Sequence, residues 1–142
     1  MKVKIKKLSD AAVVPSYAKI GDAGMDLTAT SKCWNVAGFF QYGTSIALEI
    51  PRGYVGLIYP RSSISERNMM LCNHVGVIDS EFRGELCLRF KYINLMTTSC
   101  NTYEIGDRIG QLMIVPYPQI EFEEVEELST TIRGNGGFGS TN

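Results

Sequence analysis

The chain has 142 residues, 44% of them hydrophobic and 20% charged, and its 14 basic and 15 acidic side chains leave a net charge of -1. That length suits one domain whose core needs no disulfide staples, and the balance excludes a disordered or collagen-like chain. A chain with no basic surplus is not built to hold nucleic acid by phosphate attraction, and no apolar run approaches the ~20 residues that span a bilayer.

Val3 and Ile5 alternate with lysines, which predicts a half-buried strand; with no apolar h-region the segment is not an export signal, and the expected location is cytoplasmic. Ile46, Leu48 and Ile50 alternate with Ala47 and Glu49 and stop at Pro51, a second strand pattern. Residues 53–59 and 111–115 are rich in apolar side chains and each run is closed by a proline, which predicts buried strands. Residues 62–68 fit one short helix, with Ser62 or Ser63 as cap and Glu66 near the capping-box offset. Leu86, Leu88, Phe90 and Tyr92 alternate with Cys87, Arg89, Lys91 and Ile93, again at the period of a strand. Residues 121–128 fit a short acidic helix or a terminal strand, and a strand is the expectation. Gly134, Gly136, Gly137 and Gly139 leave residues 129–142 too glycine-rich to pack alone, a flexible arm after a core of residues 1–128. Many short strands between turns predict an all-β sandwich, jelly roll or small barrel.

The four cysteines, Cys33, Cys72, Cys87 and Cys100, are far apart. They read as reduced, mostly buried thiols. The single histidine, His74, has no paired ligand spacing, which argues against zinc.

Five stretches carry possible chemistry. Ala23-Gly24-Met25-Asp26-Leu27 reads by itself as turn chemistry. Pro60-Arg61-Ser62-Ser63 falls where a strand ends and a helix begins, and fits either a phosphate cradle or a plain capping turn. Gly76-Val77-Ile78-Asp79 predicts a strand with Val77 and Ile78 buried. Asp79 at its end is either held to take a proton from water or is one surface charge of a hairpin. Arg83, between Glu81 and Glu85, fits a surface ion pair of little worth. Gly106-Asp107 marks a hairpin turn. Gln111, at the start of a buried strand, is an amide that the core satisfies or that faces a ligand. In the arm, Arg133 to Thr141 combines amides and hydroxyls able to wrap phosphate oxygens with Phe138, on which a base can stack.

In this order the five stretches resemble the five motifs of the trimeric dUTPases (dUTP diphosphatases): Ala-Gly-x-Asp-Leu at 23–27, Pro-Arg-Ser-Ser at 60–63, Gly-x-Ile-Asp at 76–79, Gly-Asp-Arg-Ile-x-Gln at 106–111 and Arg-Gly-x-Gly-Gly-Phe-Gly-Ser-Thr at 133–141. The resemblance implies a distorted jelly-roll subunit of a homotrimer, with each active site drawn from three chains. One chain brings Asp26, Arg61, Ser62 and Gln111, a second the hairpin at Asp79, a third its arm. The implied reaction splits dUTP into dUMP and pyrophosphate, which limits uracil in DNA and supplies dUMP for dTMP synthesis. Asp79 activates the attacking water. Mg²⁺ chelates the triphosphate, and Asp26 touches it through water. Arg61, Ser62, Ser63 and Gln111 position phosphate oxygens and the water. Arg133, Gly139, Ser140 and Thr141 hold the outer phosphates, and Phe138 stacks on uracil. The hairpin from Asn73 to Phe82, with Gly76, Val77 and Ile78, reads the uracil. Three residues depart from the resemblance: Phe82 stands where the family usually has Tyr, Ser45 where Gly is frequent, and Asn142 where the last motif commonly ends in Gly.

Two other readings follow from the same residues. The related dCTP deaminases share the fold, but they are longer and lack the arm. A non-catalytic module keeping the fold leaves a regulatory protein partner open.

Overall fold

Short apolar runs, each stopped by glycine, proline or a polar turn, pair as antiparallel strands. The computed structural model describes residues 1–93 and 101–137. The strands are β1 Lys4–Lys7, β2 Met25–Thr28, β3 Ser31–Asn35, β4 Phe39–Gly43, β5 Ile46–Glu49, β6 Tyr54–Tyr59, β7 Met69–Leu71, β8 Gly76–Ile78, β9 Cys87–Tyr92 and β10 Arg108–Pro116. They form one sheet of order β2-β10-β6-β8, one of order β3-β4-β9-β7 and the pair β1-β5. The architecture is therefore all-β, as expected.

The alternation of β9 places Leu88 and Phe90 in the core while Cys87 and Arg89 face outward. Leu27, Ile46, Ile58, Ile109 and Leu112 complete the buried cluster. Its aromatic centre is Tyr42, Phe90 and Tyr103, with Tyr42 meeting Phe90 edge-on at 5.8 Å and Tyr103 at 6.0 Å. Such pairs add about 0.5–1.5 kcal/mol beyond area burial. The Tyr42 hydroxyl donates to the Tyr103 carbonyl at 3.0 Å. Burial, and then the Glu104 charge, push its pKa up to about 12.

Several expectations need correction. The helix is a 3₁₀ turn at Ser62–Glu66 whose N-cap is Arg61, with no side-chain capping bond. It is too short to need a capping box, and Ser65 Oγ instead donates to the Ser62 carbonyl. Residues 121–128 carry no strand. Their apolar side chains find no partner strand among the described residues, and Phe122 and Leu128 stay 93% and 87% exposed. Val77 is not buried but 62% exposed, because β8 is an edge strand and Val77 points into an open cavity. The thiols are not mostly buried: Cys33 and Cys87 are exposed and Cys72 is half-buried, since each lies on or beside the outer face of the second sheet. Cys100 lies outside the described residues. β10 starts at Arg108, so Gln111 is in mid-strand rather than at its start. Ser45 adopts φ 53°, the left-handed region in which glycine is at ease. The Glu85 carboxylate, accepting the Ser45 N–H at 2.6 Å, holds that turn.

Candidate active site

The long strand β10 builds the first half of the site. Gln111 sits opposite Asp26 on β2 and opposite Tyr59 on β6. Pro60 ends β6, and Arg61 turns back over the end of the sheet. Asp26 accepts from Nε of Arg61 through Oδ1 at 2.9 Å and from a terminal nitrogen of Arg108 through Oδ2 at 3.0 Å. A guanidinium fixed in this way suits planar, bidentate recognition of phosphate. The Gln111 amide donates to the Pro60 carbonyl at 3.4 Å. Gly24 leaves room for that amide, since a Cβ there would run into the Gln111 side chain. Asp22, Gly24, Asp26, Tyr59, Arg61, Ser62 and Gln111 thereby line a cleft of about 350 Å³.

The second half lies on the hairpin around β8. Gly76, Val77 and Ile78 pair with Ile58, Leu57 and Gly56 of β6. Among the described residues the opposite edge of β8 has no strand beside it, so its peptide groups can pair with a planar ligand. His74, at φ 59°, tightens the preceding turn. Asn73, Gly76, Val77, Ile78 and Phe82 line a cavity of about 540 Å³ that also reaches Cys72 and Cys87. Burial and the neighbouring Glu85 charge push the Cys87 thiol up from 9.0 to about 11. Asp79 follows β8 directly and is exposed. Its carbonyl accepts the Phe82 N–H at 3.1 Å, and Arg83 donates to the Ser80 carbonyl at 2.6 Å and the Phe82 carbonyl at 2.9 Å.

The two halves do not merge within one chain. Ile58 lines the 540 Å³ cavity and its neighbour Tyr59 lines the 350 Å³ cleft. Successive strand residues point to opposite faces, so β6 turns one side chain toward each, and no residue lines both. Ser63, Asp79 and Arg133 line neither of them. Arg133 instead donates through Nε to the Gly136 carbonyl at 2.9 Å. Phe138, Gly139, Ser140 and Thr141 lie outside the described residues.

The family model of dUTPase matches residues 10–142. The chain belongs to the dUTPase family. A Corynebacterium glutamicum protein named deoxyuridine 5'-triphosphate nucleotidohydrolase is 42% identical over 143 residues, covering 98% of this chain and 93% of its own length. The dUTPase of Staphylococcus bacteriophage 80alpha, solved with dUpNHpp, superposes with a TM-score of 0.79 at 28% identity, covering 99% of this chain and 98% of that one. A variant dUTPase of phage phi11 of S. aureus, described as coordinating a structural Mg(II) ion, matches at a TM-score of 0.75 and 25% identity over 89% of this chain and 98% of its own.

Three residues that hold or line the candidate site do not stand out in the sequence. Arg108 was in view within Gly-Asp-Arg-Ile, but its bond to Asp26 depends on β10 pairing with β2. Asp22 lines the phosphate-side cleft beside Asp26. Arg83 is a clamp on the 80–82 backbone and not a surface ion-pair group. The ion pair at this turn is Arg52 with Glu81 at 3.1 Å, with both side chains exposed.

Proposed function

We propose that this dUTPase hydrolyses dUTP to dUMP and pyrophosphate at sites completed between copies of the chain. The observation that carries the reading is the separation of a cleft rich in phosphate-binding groups from a base-sized cavity, with no lining residue in common. A second copy supplies what one chain cannot bring together, and a homotrimer is the closed symmetric arrangement expected of such a heterologous contact.

In this reading the free edge of β8 pairs with the uracil oxygens and N3–H through backbone groups, and Asn73, Gly76, Val77 and Ile78 close around the ring. The close fit leaves no room for a 5-methyl group, and cytosine presents the wrong donor pattern at position 4. The Phe82 ring stands against the deoxyribose. Arg61, Ser62, Ser63 and Gln111 of the facing chain orient the phosphates. Asp79 takes a proton from a water whose oxygen attacks the α-phosphorus, while the bond to the bridging oxygen breaks in line and pyrophosphate leaves.

The donor set fits Mg²⁺ carried in with the triphosphate. Among the described residues no group of three or more His, Cys, Asp or Glu could cage a metal, and such an ion needs only one or two carboxylates beside the phosphates. Asp22 and Asp26 line the cleft. Asp26, already holding two arginines, would reach the ion through water. When bound, the ion offsets phosphate charge and fixes the coil of the chain.

Residues 129–142 act as the arm of a third copy, with Arg133, Phe138, Gly139, Ser140 and Thr141 over the nucleotide. The exposed apolar series Ile120, Phe122, Val125, Leu128 and Ile132 supports this, since a run of that kind calls for a partner surface. A nucleotide-pool enzyme of this kind works in the cytoplasm, and no helix among the described residues is long and apolar enough to cross a membrane.

The test is pyrophosphate release with Mg²⁺ from dUTP, dTTP, dCTP and UTP offered separately. Release from dUTP alone, lost with EDTA, is expected. No release from any of the four would make the protein a binding relative without this activity.

A further inference from the structure

Gly84 has no positive φ to require glycine. What requires it is the ring of Phe82. A Cβ at position 84 would lie 2.6 Å from Cζ and 2.9 Å from Cε2 of that ring. Those distances are well inside van der Waals contact, and an aromatic ring cannot yield as the tip of a long flexible side chain does. The Phe82 ring therefore folds back onto the bare backbone of Gly84. Between the two, Arg83 donates to the carbonyls of Ser80 and Phe82, and the Phe82 N–H is bonded to the Asp79 carbonyl. The backbone beneath the ring is thus clamped on both sides, and the free variable is how far the ring stands out into the cavity it lines.

We propose that Gly84 is a positioning residue for substrate binding: its missing side chain lets the Phe82 ring lie back, and so sets the width of the pocket where sugar and base enter. The proposal rests on the reading of the 540 Å³ cavity as the nucleoside pocket. A methyl group at 84 drives the ring toward the ligand by about 1 Å, the difference between an ordinary contact distance of ~3.5–4 Å and the 2.6 Å to Cζ. Asp79, which only lends its carbonyl to this turn, keeps its carboxylate where it was.

The experiment compares wild type, Gly84→Ala, Phe82→Ala and the double variant in steady-state dUTP hydrolysis. Gly84→Ala is expected to raise KM for dUTP roughly tenfold, the scale of a one-carbon change in a close-fitting pocket, with kcat changed far less. In the Phe82→Ala background the same substitution is expected to do nothing, because the ring through which it acts is gone. A Gly84→Ala protein that folds only when Phe82→Ala accompanies it supports the same contact. An unchanged KM in folded Gly84→Ala overturns the proposal, as does an equal rise in both backgrounds. The second readout needs no turnover. The Gly84 α-protons of wild type should be displaced from ordinary values by the ring current of Phe82 in proton NMR and should return to them in Phe82→Ala. Unshifted α-protons overturn the contact itself. Wild-type protein inert toward dUTP would defeat the functional reading while leaving this second readout to decide the position of the ring.

Discussion

Asp26→Asn isolates the element that holds the phosphate-side cleft together. The substitution keeps the volume and removes the charge. One oxygen of the new amide can still accept a hydrogen bond, but its NH₂ meets an arginine donor. Asp26 and Arg61 keep 19% and 27% of their side-chain surface, whereas Arg108 keeps 54%. A charge-assisted hydrogen bond is worth about 1.5–3 kcal/mol when desolvated, and an exposed pair only about 0.2–1 kcal/mol. Arg61 therefore contributes most, and the net loss should be about 2 kcal/mol. For 142 residues the unfolding entropy is roughly 0.3 kcal/mol/K, so Tm should fall by about 7 °C. The assay is thermal unfolding at fixed protein concentration, because assembly makes Tm depend on concentration. A double-mutant cycle then separates the pairs: the coupling of Asp26 to Arg61 should exceed that to Arg108. An unchanged Tm, or a larger coupling to Arg108, would refute the claim that Asp26 anchors Arg61.

The Tyr103 hydroxyl is buried near Ser63 but in no hydrogen bond of good geometry among the described residues, so Tyr103→Phe should be neutral or stabilising by up to about 1 kcal/mol, while Tyr42→Phe, which breaks a bond to the Tyr103 carbonyl, should cost about 1 kcal/mol in urea unfolding. Cys87, held near 11, should alkylate with iodoacetamide at pH 8 far more slowly than in the unfolded chain, with the difference read by mass spectrometry. Its raised value also means that the stability it contributes is complete below about pH 9 and is lost as pH rises toward 11. Equal rates in folded and unfolded protein would show that the thiol is not desolvated. Deleting residues 129–142 should leave a folded assembly with crippled dUTP turnover, since the core is complete without them; a wild-type rate would remove the arm from the site.

What could be read from the residues was what local patterning determines. The clean alternation of Leu86 to Tyr92 gave β9, because that strand has one buried face; the pattern of Ile46 to Ile50 gave β5, where Ala47 is buried along with its neighbours. β3 and β4 were not legible. Trp34 and Phe40 mark their ends with rings 4.7 Å apart, but Ser31, Cys33 and Asn35 are exposed, so no hydrophobic period stands out. The strand expected at 121–128 failed because alternation needs a neighbouring strand, and none lies there among the described residues. Val77 was misjudged because an apolar residue at an edge strand can serve a cavity as well as a core. The motifs point to the candidate residues, yet their division between two cavities depends on Ile58 and Tyr59 facing opposite ways, and Arg108 acquires its partner only when β10 lies beside β2.

The central claim is that dUTP is turned over where the Arg61 half of one chain meets the Asp79 half of another. Subunit complementation tests it most directly. Arg61→Ala and Asp79→Asn are each prepared as inactive protein, then denatured together in equal amounts and refolded. Random assembly leaves intact halves facing each other in about one site in four, so the mixture should recover about a quarter of the wild-type rate of pyrophosphate release. A mixture as silent as its parents, with assembly verified by its mass, would contradict the shared site, and turnover by Asp79→Asn alone would contradict the role of the base.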